Sequence, residues 1–179
     1  MNPAPNLVLI GPMGAGKSSI GKRLAARLGL SFVDADQRLE QLTGAPVPLI
    51  FECEGEAGFR ARESALIAEL CAGQGQLIAT GGGAVLSADN RRCLRERGYV
   101  VYLQVSVAQQ LHRLSRDHSR PLLASGDKRE KLEAFAQARG PLYAELADMH
   151  FDSDGLALAQ AAELLGARIE AQWQRAQAA

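Results

Sequence analysis

"GPMGAGKSS", residues 11–19, follows directly on the apolar run Leu7-Val8-Leu9-Ile10, and its reading decides the fold. Gly11, Gly16, Lys17 and Ser18 fill the pattern GxxxxGK[ST] between a segment of strand character and one of helical periodicity, the context that gives the pattern its meaning. Glycines allow backbone conformations that a Cβ forbids, so successive N–H groups can turn inward toward phosphate oxygens. The start of the following helix adds partial positive charge. The segment Gly14, Ala15, Gly16, Lys17, Ser18 and Ser19 is therefore a candidate cradle for the phosphates of ATP. Lys17 would reach the β- and γ-phosphates, and the Ser18 hydroxyl would ligate Mg²⁺. The competing reading is a glycine-rich turn without a ligand; a chance match in a chain this size is on the order of one per cent by composition.

Outward from that loop, short apolar runs alternate with longer amphipathic ones. Strands are expected at 7–10, 32–34, 76–80, 99–105 and 149–151. Helices are expected at 16–28, 37–43, 47–54, 58–72, 88–97, 107–116, 127–147 and from 156 to about 174. Such alternation predicts βαβ crossovers and an α/β fold: about five strands in a mostly parallel sheet, covered by helices on both faces. Ligands bind such sheets beyond the carboxyl ends of the strands, which is where the glycine clusters and the paired aspartates fall. Two stretches interrupt the pattern. One, within about 36–64, reads as a substrate-binding arm. The other, about 113–126 and rich in arginine, reads as a mobile lid. At 179 residues the chain suits one domain.

Composition narrows the partners. Twenty basic side chains balance twenty acidic ones, so no global field draws the chain to nucleic acid or to anionic lipid, and any anion must be held by local groups. Cys53, Cys71 and Cys93 form no CxxC pair, which argues against a disulfide framework or a zinc knuckle and for a reducing cytoplasm. The three histidines lack metal-ligand spacing and read as surface or structural residues. The N-terminus lacks a signal peptide's pattern, and no stretch is long enough to span a membrane. Even charge and the lack of an evident apolar seam lead to the expectation of a monomer.

A phosphate cradle does not by itself name a reaction. The run 76–80 ends in Gly81-Gly82-Gly83 with no carboxylate, so Asp34, in "FVDAD", is the candidate to hold the metal. Asp34 and Asp36 lie two apart and face the same side if the strand continues through them. Asp34 would then lie near Mg²⁺, directly or through water. Asp36 would orient the attacking hydroxyl and take its proton late in a loose transition state. The competing reading makes the pair a cap for the helix from Gln37, and Asp36 could also do both jobs.

With "GPMGAGKSS", "FVDAD", "GEAGFRARE", "TGGGAV", "SRPLL" and "RGPLY" occurring in order, the chain resembles the shikimate kinases, P-loop enzymes of the nucleoside monophosphate kinase-like group, from the first strand to about Phe151. The resemblance implies a three-layer P-loop kinase fold and transfer of the ATP γ-phosphate to the 3-hydroxyl of shikimate, on the route to chorismate and the aromatic amino acids. It implies a substrate site at Asp36, Arg60, the triple glycine Gly81, Gly82 and Gly83, and Arg139. A bidentate guanidinium pair suits the carboxylate of shikimate, and a carboxylate acceptor suits its hydroxyls. Arg120 resembles the family's lid arginine, reaching the nucleotide phosphates on closure. Arg113 aligns with a residue that packs near adenine, a role for which Arg116 competes. In one place the pattern departs: "FDSDGLALAQ", residues 151–160, lacks a proline-bearing loop that lies beside adenine in some relatives, so base contacts near residues 153–156 are left unassigned and ATP over GTP rests on the resemblance. The alternatives are another P-loop kinase of a small hydroxy acid, gluconate-like, or of a nucleoside monophosphate, and a non-catalytic ATP-binding regulatory module.

Overall fold

The first strand, β1 (Asn6–Ile10), is buried at every position, the mark of a strand covered on both faces. Its side chains alternate between two cores. Leu7 and Leu9 join Leu77, Val101, Leu103 and Phe151 on one face, while Val8 and Ile10 join Ile78 and Val100 on the other. The computed structural model of the chain describes residues 4–115 and 121–173. In chain order it comprises β1, α1 (Lys17–Leu28), β2 (Ser31–Asp34), α2 (Ala35–Thr43), α3 (Val47–Ala72), β3 (Gln76–Ala79), α4 (Ala88–Arg97), β4 (Gly98–Gln104), α5 (Val107–Leu114), α6 (Lys128–Leu146), β5 (Met149–Asp152) and α7 (Leu158–Gln172).

The strands are ordered β2-β3-β1-β4-β5, all parallel. Helices α1 and α7 cover the Leu7 face through Ile20, Leu24, Leu165 and Ile169. Helices α2, α3, α4 and α6 cover the other through Leu39, Leu66, Leu94 and Tyr143. A third, smaller cluster of Met13, Leu114, Leu123 and Leu132, with Phe135 against it, joins the loop after β1 to α5 and α6. The register decides where the loops meet. Leu9 pairs with Ala79, and Asp34 pairs with Ala79 from the other side, so the loop after β1, the triple glycine after β3 and the start of α2 emerge side by side. The sheet expected from the sequence is present.

Boundaries shifted by a residue or two, and three differences have physical causes. The expected helices 47–54 and 58–72 form one element, α3, broken at Gly55, whose φ of 70° and ψ of −178° are non-helical. Two 3₁₀ turns not foreseen, Ala84–Leu86 and Pro121–Leu123, lack the length to register as a period. The condition that strand β2 continue through Asp36 fails. β2 ends at Asp34, which caps α2 by accepting from the Gln37 amide at 3.1 Å, so Asp36 lies in the first helical turn and the two aspartates do not share a strand face. Among the described residues, no helix is long and apolar enough to cross a membrane.

Candidate active site

A cleft of 710 Å³ opens beyond the carboxyl ends of β1, β2 and β3. Its floor is the opening motif. Gly11 has φ of 142°, and a Cβ there would collide with the Leu103 carbonyl of β4; Gly16, at φ 91°, caps α1 in a left-handed conformation with no side chain to occupy the helix end. The first amides of a helix have no intrahelical acceptor, and Lys17, Ser18 and Ser19, the first residues of α1, line the cleft. The Lys17 ammonium, nearly buried, donates to the carbonyls of Gly11 at 2.7 Å and Pro12 at 2.8 Å. Ser18 Oγ donates to Asp34 Oδ2 in a short hydrogen bond. Asp34 thus caps α2 with one oxygen, as the competing sequence reading has it, and accepts from Ser18 with the other.

Two side chains of α5 hold this floor, one of which the sequence did not single out. Gln110 of α5, buried, donates to the Met13 carbonyl at 2.8 Å. Arg113, which was singled out, uses its guanidinium on backbone: it donates to the Gly14 carbonyl at 2.9 Å and to the Ser153 carbonyl at 3.2 Å. It thereby ties the loop after β1 to the loop after β5, and with Leu156, Ala157 and Leu158 it walls the end of the cleft. Arg116 and Arg120 lie outside the described residues, as does the middle of the expected lid.

The opposite wall is built from several elements. Asp36 of α2 packs against Gly81: a Cβ there would lie 3.0 Å from Asp36 Oδ1 and 2.7 Å from Glu63 Oε1. A Cβ on Gly83 would collide with the Arg60 guanidinium, so this glycine is required by the arginine passing over it. Gly82, between them, approaches the amide of Met13 and the Arg139 guanidinium, bringing the two walls together. Arg60 pairs with Glu63 at 2.7 Å and lies 3.5 Å from Glu56.

Glu63 was quoted in "GEAGFRARE" without a role. Its spacing of three from Arg60 on a helix was the available signal. It is 3% exposed, and burial pushes its carboxyl above the ordinary range, offset in part by Arg60 and reinforced by the charge of Asp36. Its Oε1 and Arg60 Nε are buried without hydrogen-bond partners among the described residues.

Arg139 of α6 is 4% exposed. Its guanidinium stacks over the Phe135 ring at 4.1 Å, and burial lowers its affinity for the proton. No carboxylate stands within ion-pair distance of it among the described residues. A buried cation without an anion is costly, so the arrangement suits one supplied from outside. The cleft thus offers a phosphate cradle with oxygen donors for a hard cation on one side. On the other it offers a carboxylate, Asp36, opposed by two guanidinium groups.

Known proteins resemble this chain closely. The family model described as shikimate kinase matches residues 13–170. Shikimate kinases of Stenotrophomonas maltophilia and of Xanthomonas campestris pv. campestris are each 54% identical to it. The first aligns over 98% of this chain and 97% of its own length, the second over 97% and 96%. The solved structure of shikimate kinase from Acinetobacter baumannii in complex with shikimate superposes with a TM-score of 0.89 at 42% identity, covering 97% of both chains.

Proposed function

The chain belongs to the shikimate kinase family, and from that premise we propose how its cleft moves the ATP γ-phosphate onto the 3-hydroxyl of shikimate. The triphosphate lies along the amides of residues 14–19, with Lys17 released from the Gly11 and Pro12 carbonyls to the β- and γ-phosphates. Arg113 and the loop with Leu156 and Leu158 border the base. Ser18 and Asp34, a hydroxyl and a carboxylate already in contact, fit the hard, oxygen-seeking Mg²⁺ that travels with the nucleotide. Bound there, the ion neutralises charge on the phosphate oxygens.

Shikimate lies across Gly81, Gly82 and Gly83 with its carboxylate between Arg60 and Arg139 and its 3-hydroxyl at Asp36. Asp36 orients that hydroxyl and accepts its proton as the bond to phosphorus forms, while Glu63 keeps the Arg60 fork aimed into the cleft. Arg120 arrives with the lid to stabilise charge in transfer. Every group belongs to one copy, so a monomer suffices, and both substrates are those of a cytoplasmic enzyme.

The observation that carries the acceptor assignment is Arg139, a buried guanidinium on the cleft wall with no ion-pair partner among the described residues. A coupled assay for ADP release with shikimate, gluconate and nucleoside monophosphates as acceptors tests the reading. Turnover with shikimate alone is expected; a folded protein with Mg²⁺ that turns over only another acceptor, or none, would end it.

A further inference from the structure

Arg139 does not stand alone on α6. Phe135, Arg139 and Tyr143 occupy successive turns, spaced by four, and so share one stripe of the helix. Tyr143 is 2% exposed, and its ring packs against Tyr102 of β4 with centroids 5.0 Å apart, so the phenol has little freedom to swing. Its hydroxyl donates to the Gly82 carbonyl in a short hydrogen bond, and Gly82 itself lies against the Arg139 guanidinium. A phenol oxygen has one proton to give, and here the Gly82 carbonyl takes it. Burial pushes the phenol's ionisation upward, which keeps that proton in place throughout the range in which the enzyme works.

We propose that the Tyr143 hydroxyl is a positioning group for the acceptor: by holding the Gly82 carbonyl it fixes the central peptide of the glycine loop, on which the ring rests and against which the Arg139 guanidinium lies. The hydroxyl touches neither substrate. Gly82 in turn lies against the amide of Met13 and the carbonyl of Gly11, so the same oxygen sets the acceptor's height relative to the phosphate cradle. Without it, Arg139 keeps its charge and its stacking on Phe135, but the glycine peptide it lies against is no longer held. The Gly82 carbonyl is left without its donor.

This inference rests on the acceptor reading above, and the two fail separately. Wild-type turnover with shikimate tests that reading; the ratio of variant to wild type tests the positioning role. Tyr143→Phe keeps the ring against Tyr102 and removes only the oxygen. The expected result is a shikimate KM raised about tenfold, the scale of one lost buried hydrogen bond, with the ATP KM within about twofold of wild type. An unchanged shikimate KM, or equal rises in both KM values, would overturn the proposal, the latter pointing to general loss of packing. Should the variant not fold, wild-type protein with ¹³C at the tyrosine Cζ gives a second measurement, since Tyr99, Tyr102 and Tyr143 are the three tyrosines. Shikimate alone should move the Tyr143 resonance and a non-hydrolysable ATP analogue alone should leave it. No movement with shikimate, or equal movement with both, would overturn the role.

Discussion

The floor of the cleft and its opposite wall solve the problem of holding a charged ligand in different ways. The floor is contiguous: residues 11–19 run from the end of β1 into α1, and what they offer is mostly backbone, with the helix end uncapped by any side chain. The wall is dispersed. Asp36 comes from α2, Arg60 and Glu63 from α3, the glycines from the loop after β3 and Arg139 from α6. Backbone donors are fixed by φ and ψ and tolerate little change at the positions that set those angles, whereas side-chain donors depend on neighbours brought from far along the chain. On the proposed reading, the floor takes the polyphosphate and the wall distinguishes acceptors.

Because the two regions are separable, single substitutions should damage one substrate's binding and spare the other's. The largest effect is expected at the point where they meet. Asp36→Asn removes the proton acceptor and should lower kcat by about three orders of magnitude, within the range for a general base, while ATP binding by calorimetry stays near wild type. Turnover close to wild type would show that the wall only binds. Next in size is Arg139→Ala, which should raise the shikimate KM about a hundredfold, the loss expected for a buried charged contact, with the ATP KM little moved. Equal rises would assign Arg139 to the nucleotide side. Gly16→Ala is the converse. The strain of a side chain at φ 91°, with its Cβ 3.2 Å from Ile20 and 3.3 Å from Leu158, should weaken ATP about tenfold and leave shikimate binding intact. Weakened shikimate binding in that variant would break the separation.

The smallest effect concerns stability and pH. Burial raises the Glu63 carboxyl above its ordinary value of 4.5, so the folded chain takes up this proton before the unfolded chain does as pH falls. The penalty on the charged form is then present in full at neutral pH and fades as pH falls through the raised folded value toward 4.5. Relative to Glu63→Gln, wild type should gain stability between pH 7 and pH 5, by at most about 1.4 kcal/mol per pH unit. Melting curves of both proteins at the two pH values check the sign. A relative loss for the wild type would mean that the Arg60 pair outweighs burial.

Much of this was legible along the chain. The P-loop could be read because its chemistry lies in consecutive residues, and the five strands because burial on both faces leaves short apolar runs. The acceptor residues Asp36, Arg60 and Arg139 could be named only through the order of several motifs, since nothing in the local sequence separates an arginine that clamps a ligand from one in a surface ion pair. Glu63, Gln110 and Tyr143 went unassigned for a related reason. Gln110 and Tyr143 act on groups distant in sequence, Met13 and Gly82, and Glu63, though only three residues from Arg60, is set apart from a surface ion pair by its burial alone. The shared orientation expected for Asp34 and Asp36 failed because the capping of α2 by Asp34 ended the strand one residue after its alternation could be counted on.

What the sequence determined by itself is therefore the sheet, the helices and the glycine-rich loop between β1 and α1, because hydrophobic period and glycine placement act over neighbouring residues and need no partner to be specified. The tertiary structure alone decided which charges meet. The pairing of Leu9 and Asp34 with Ala79 sets the cradle beside the triple glycine and α2, and the packing of α6 on β4 carries Arg139 and Tyr143 over Gly82. Those encounters depend on strand register and helix packing, which arise only when segments far apart in the chain bury their apolar faces together.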